Sequence, residues 1–257
     1  MKSIFSVAKN TLRETLRSGV LWAEALVAGL LLFGVGLFGA VSIGSQALVV
    51  KDFSFFVMSF LPVVFVTLVG ASIVQKEIAR KTIYHVLSKP VSRSSVLIGK
   101  FFGLFGVALS LFLVALAVSI LAQGVIVGDW LSVVRPELLL IIFELLIVSA
   151  LVIFFSSIVV TPLLTGVFTL GVFLAGRSIE YIKMFIETSQ NEAARVALRG
   201  LYWVLPSLSD LVVRRDVVLG VSAISLKDIS LLGVYSLSYA VAVLIVGQFF
   251  FSRRDFP

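Results

Sequence analysis

Hydrophobic and polar positions in this chain are patterned on two scales. On the long scale, apolar runs of about membrane length recur at 20–41, 53–74, 99–122, 138–159, 161–176 and 229–251. A helix of about 20 apolar residues crosses the ~30 Å hydrocarbon core of a bilayer. The pattern predicts an all-α polytopic membrane protein with six transmembrane helices. On the short scale, residues 2–17 are amphipathic at helical spacing. Ile4, Phe5, Val7, Ala8, Leu12 and Leu16 share one side, and Lys2, Lys9, Arg13, Glu14 and Arg17 the other. Such a helix is expected to lie in the membrane interface, apolar face down and cations toward anionic headgroups.

Within the spans, breaks and small residues carry the information. Residues 138–176 hold 39 positions and a single charge, Glu144. One helix of that length would be about 58 Å long, roughly twice the hydrocarbon core, so the segment must fold back. Ser156-Ser157 and Thr161-Pro162 mark the break, and proline suits the first turn of a new helix. The fifth span is then short, so it tilts little or runs on past Arg177. Pro62 removes one backbone hydrogen bond and predicts a kink near residues 59–61. Gly29, Gly34, Gly36 and Gly39 thin the first span, and Gly99, Gly103 and Gly106 thin one face of the third, for close helix contact. Gly34-x-Gly36-x-x-Gly39 matches a dinucleotide fingerprint only formally. No strand precedes it, no acid follows at the needed spacing, and it lies inside a span.

Two polar regions interrupt the apolar runs. Residues 177–228 follow the fifth span. There Ile179, Ile182 and Ile186 continue a helical stripe, and residues 191–204 form a second amphipathic segment that ends in Tyr202-Trp203 before Pro206. Residues 75–100, QKEIARKTIYHVLSKPVSRSSVLIGK, hold six of the chain's 21 Lys and Arg and one acid, Glu77. Apolar and charged residues interleave at helical spacing up to Leu87. Pro90 breaks the run, and Ser92 is placed to cap the next helix. The plain reading of this island is a solvated loop kept on one side of the membrane by its charge.

Composition narrows the class. Hydrophobic residues are 60% of the chain and charged residues 14%; soluble domains average about 45–50% and about 25%. One transmembrane domain is expected over 1–257. The net charge of +7 sits beside apolar spans, so it speaks of orientation in a membrane and not of nucleic acid. There is no cysteine, and His85 is the single histidine; disulfides and a metal cluster are excluded. A cleavable leader is not expected, because residues 1–19 are charged throughout and the first apolar run is too long. No phosphate-binding loop motif is present.

The order Glu77, Lys81-Thr82, Leu87-Ser88, Pro90-Val91-Ser92-Arg93, Gly99-Lys100 resembles the first cytoplasmic loop of ABC transporter permeases of the type-2 exporter class. The likeness is closest to short permeases such as the membrane subunit of the copper-maturation transporter of nitrous oxide reductase. The resemblance implies that Glu77, Arg80, Lys81, Thr82, Leu87, Ser88, Pro90, Ser92 and Arg93 couple to a separate ATPase subunit, which binds the ATP and Mg; this chain binds no cofactor. It also implies a second copy or a related permease chain, and an N-terminal helix near the coupling loop. Residues 205–210 resemble the outer region before the last span in the same permeases.

Charge distribution gives an orientation. With both termini inside a prokaryotic inner membrane, the short inner segments carry twelve cations: Lys2, Lys9, Arg13, Arg17, six in the loop, Arg253 and Arg254. The short outer links carry only Lys51 and Arg135. Residues 177–228 form a long outer loop, whose seven cations are offset by six acids. Two intramembrane acids are candidates for the transport path or a contact between subunits. Glu24 competes with an acid that reaches the interface, and Glu144 with an acid bonded to a neighbour near the outer surface. Other classes fit the same composition. An ion-coupled secondary transporter would need more midplane ionisable groups, an intramembrane enzyme a richer set of catalytic side chains. An assembly or sensor subunit would need neither.

Overall fold

The computed structural model describes residues 2–41, 46–79, 93–159, 161–188, 191–212 and 224–253. All regular elements among them are helical: α1 Lys2–Leu16, α2 Val20–Val41, α3 Gln46–Ala79, α4 Arg93–Ile126, α5 Leu138–Ile158, α6 Pro162–Arg177, α7 Ile179–Thr188, α8 Glu192–Val204 and α9 Leu226–Arg253, with a 3₁₀ turn at Ser209–Leu211. Five helices are long and apolar enough to cross a membrane. A sixth span results if α6 and α7, bent by 64° at their junction, count as one.

α3 and α4 are each 34 residues, about 51 Å at 1.5 Å per residue. That exceeds the ~30 Å core, so each overruns the 53–74 and 99–122 spans expected from hydropathy. α3 runs through Pro62 as one continuous helix, so the proline leaves the span unbroken. α6 stops at Arg177, and α7 leaves at an angle where the fifth span was expected to tilt little or continue.

α3, α4 and α5 form the centre, with a core that includes Met58, Leu104, Leu111, Leu145 and Val148. Gly70 admits Leu104 and Val152; a Cβ there would lie 2.7 and 2.5 Å from their side-chain atoms. α9 lies along α5, and α2 packs on α3 and α4. The end where α3 stops and α4 starts is termed the loop end; the opposite end is the far end. α2, α4 and α6 run toward the far end, α3, α5 and α9 toward the loop end.

α1 has a protein partner for its apolar face. Gly99 of α4 faces Val7 and the Ile4 carbonyl, Gly103 faces Thr11 and the Ala8 carbonyl, and Gly106 faces Leu12. The contacts advance in step along both helices, so α1 runs beside α4. Phe5 remains exposed, and Thr11 and Thr15 are buried. The face expected to meet lipid is therefore largely spent on the glycine stripe of the third span. The glycines of α2 divide. Gly36 packs on Ile126 and Gly39 on Gln46, whereas nothing lies within 4 Å of Gly29 or Gly34.

Candidate functional site

At the far end a polar cluster is built from three helices. Glu144 lies six residues into α5, about 9 Å below its far end, and its side chain is fully buried. Arg177 is the last residue of α6. Its Nε donates to Glu144 Oε1 at 2.8 Å and its Nη2 to Oε2 at 3.0 Å. Ser59 of α3 donates through its hydroxyl to Glu144 Oε2 at 2.6 Å, and Arg177 Nη2 also bonds the Ser59 hydroxyl. The guanidinium stands over the Phe173 ring, 5.0 Å from its centroid. The two-pronged guanidinium–carboxylate pair is the strong geometry for this chemistry, and the ring face adds a cation–π contact. Glu144, expected to contact another subunit, the pathway or a neighbour, is bonded within its own chain.

The bend after α6 is fixed from the other side. The Leu208 amide donates to the Gly176 carbonyl at 3.2 Å, and a Cβ on Gly176 would lie 2.6 Å from the Pro206 carbonyl oxygen. The Tyr235 hydroxyl of α9 accepts from the Ser207 amide at 2.8 Å, and the Tyr239 hydroxyl donates to the Val204 carbonyl at 3.0 Å. Residues 205–210 thus lock onto the end of α6, with Leu205 and Leu208 buried. α8 begins as expected, with the Asn191 side chain accepting from the Ala193 amide at 3.0 Å. Beside the ion pair a cavity of about 360 Å³ is lined by Asp52, Phe53, Phe56, Ser59, Arg177 and Val212, among others. Its lining combines phenylalanines with Asp52 and Arg177, a chemistry suited to an amphipathic molecule.

Ser59 and Arg177 were not among the sequence candidates. Arg177 reads from sequence as the first residue of the outer loop, yet it closes a helix and is mostly buried.

Glu24 sits in α2, fully buried, and neither carboxylate oxygen has a hydrogen-bond partner among the described residues. The expectation that its side chain reaches the interface is thereby corrected: the helix turns it into the protein. A buried carboxyl group without a partner is costly. Glu24→Met keeps the chain length and removes that cost. Unfolding in detergent is expected to show a gain of about 1–3 kcal/mol. A well-folded variant that has lost transport would instead make Glu24 a working group.

The coupling-loop candidates Arg80, Lys81, Thr82, Leu87, Ser88, Pro90 and Ser92 lie outside the described residues. Glu77 falls on the last turn of α3 and Arg93 on the first residue of α4. In sequence, segment 80–92 joins the end of α3 to the start of α4, the two longest helices among the described residues. Among the described residues no group of His, Cys, Asp and Glu could hold a metal ion.

No curated protein sequence gives a significant match. Residues 5–256, nearly the whole chain, match the family described as ABC-2 family transporter protein. A chain of apolar helices matched over that length belongs to this family, whose members are the membrane-embedded permease subunits of ABC transporters.

Proposed function

We propose that the chain is the permease half of an exporter driven by ATP hydrolysis on a separate subunit, and that segment 75–100 is its point of grip. The observation that carries this is mechanical. A basic segment with one acid is held on the ends of α3 and α4, two unbroken helices that both run through the centre of the bundle. Force applied to the segment passes directly into the packed core. Rigid-body motion of packed helices is an established mode of switching. Two ATPase subunits that close on ATP and Mg would press on two such segments and rock two permease chains between states. The loop end then faces the cytoplasm of a prokaryotic cell with both termini, and the cavity beside Arg177 opens to the outer side as a vestibule for cargo. Lipid, peptide, drug, polysaccharide or a metal-linked species would all fit an apolar path. An ion-gradient carrier is less well served, because Glu144 is already neutralised by Arg177.

The test uses the permease reconstituted with its ATPase in vesicles. Glu77→Lys and Arg93→Glu are expected to insert normally and keep ATP hydrolysis, while transport per ATP falls at least about tenfold, the loss of a charged contact worth some 1.5–3 kcal/mol. Wild-type coupling in both variants would remove the assignment.

A further inference from the structure

α9 follows α5 and diverges from α4, and an apolar groove of about 400 Å³ opens between α4 and α9. Its floor is made by buried Leu97, Phe101 and Ala240, its rim by exposed Phe102, Leu237 and Ile245. The two helices are antiparallel here, and the groove follows α9 from Leu237 to Gln248, about 16 Å at helical rise. Its width and direction suit one extended hydrocarbon chain lying along the membrane normal.

The loop end of the groove is polar. Gln248 Nε2 donates to Ser94 Oγ at 2.9 Å, and Gln248 Oε1 is buried with no hydrogen-bond partner among the described residues. As placed, the free end is a carbonyl oxygen, an acceptor like a phosphate oxygen. The two ends of an amide are alike in shape; turned over, Oε1 accepts from the Ser94 hydroxyl and Nε2 becomes the donor that a phosphate requires.

The same end is strongly positive. α4 starts at Arg93 with no acid in its first turn, and a helix N-terminus adds partial positive charge. No Asp or Glu occurs from Ile78 to Gly128, while α9 runs to Arg253 and Arg254 follows it in sequence; the acids near this end are Glu77, in the last turn of α3, and Asp255, so the cations outnumber them. Within a bilayer an apolar groove alone selects nothing, since lipid tails are as apolar as its walls. The charge and the unpaired amide supply the selection.

From this complementarity we infer that the groove is a binding site for one anionic phospholipid of the leaflet at the loop end. An acyl chain lies over Phe101 and Ala240, and the phosphate sits at Gln248 and Ser94 beside the start of α4. The lipid would thus touch the helix that carries the coupling segment. The site stands whether or not the coupling proposal holds.

The experiment is native mass spectrometry of the protein released from nanodiscs of equimolar phosphatidylglycerol and phosphatidylcholine. Wild type is expected to retain one phosphatidylglycerol more than Ala240→Leu/Val241→Trp, which fills the groove. Gln248→Leu should still hold a lipid there while its preference for phosphatidylglycerol over phosphatidylcholine falls about tenfold. If the double variant fails to fold, Ile245→Trp narrows the groove from an exposed position and serves the same comparison. Equal lipid retention in the filled and wild-type proteins would overturn the site, and so would an unchanged preference in Gln248→Leu. The chain has no cysteine, so Ile245→Cys is a single probe. A disulfide between two such copies in the membrane would assign the groove to a second copy and overturn the lipid.

Discussion

Arg177→Ala is expected to destabilise the protein by about 3–5 kcal/mol, the cost of leaving one member of a buried ion pair behind. The Glu144 carboxylate would keep only the Ser59 hydroxyl, which donates to one of its two oxygens. The carboxylate is fully buried, so water entering from the neighbouring cavity replaces the guanidinium only in part. Glu144→Gln does not mimic a mild loss. Its amide nitrogen would face the Arg177 N–H groups, donor against donor. The double variant Glu144→Leu/Arg177→Met removes both charges together and should recover most of the stability, since well-packed apolar replacements of buried pairs are often neutral or better. Denaturant unfolding in detergent micelles reads all four proteins. An Arg177→Ala protein as stable as wild type would show that the pair holds nothing together. A double variant that is stable and still transports would show the pair to be structural alone. If it is stable and transport is lost, the charges take part in transport.

Much of the architecture was legible because a bilayer permits so few solutions. Backbone groups in hydrocarbon must be satisfied within the segment, so each apolar run had to be a helix, and the only doubt concerned its ends. The start of α3 and the end of α4 lie beyond the expected spans for a physical reason: hydropathy marks where a helix meets headgroups, not where it stops. At the other ends polar residues gave the cue, since Ser92 reads as the cap of a helix that starts at Arg93. The partner of Glu144 was overlooked although a signal existed. If the chain reverses near Val160, Glu144 lies 160 − 144 = 16 residues before the turn and Arg177 lies 177 − 160 = 17 after it. In an antiparallel hairpin those positions face each other at one depth. Ser59 offered no such cue, because it is 85 residues away from Glu144 along the chain and serines are common in these helices. The segment proposed to couple is the reverse case. Its motif is clear in sequence, while residues 80–92 lie outside the described structure.

The glycine stripe on α4 shows how a feature can be read correctly while its partner stays unnamed. Its spacing promises a close neighbour, and another span is the ordinary one. The neighbour is α1, because an amphipathic helix has an apolar face that fits a protein groove as well as a lipid surface. Gly103→Leu is therefore expected to lift α1 from the bundle. A Cβ at residue 103 would lie 2.7 Å from Thr11 Cβ and 2.9 Å from the Ala8 carbonyl oxygen. The second of these is backbone and cannot swing aside, so the whole helix must shift. Leucine at this position should favour the helix intrinsically over glycine, by somewhat less than the ~0.8–1.0 kcal/mol that separates glycine from alanine. A net loss would thus report the clash, expected at about 1–3 kcal/mol or more. Gly99→Leu meets Val7 Cβ at 2.8 Å and the Ile4 carbonyl at 3.0 Å and should act in the same direction. Gly171→Leu, with nothing within 4 Å, is the control and should be neutral or slightly stabilising. Trypsin provides the readout: a displaced α1 exposes cleavage after Lys9, Arg13 and Arg17, which the packed helix resists. Because α1 lies beside the start of α4, its release should also weaken coupling to the ATPase. Full protection of α1 in Gly103→Leu would mean that the helix is held by the membrane surface and not by α4.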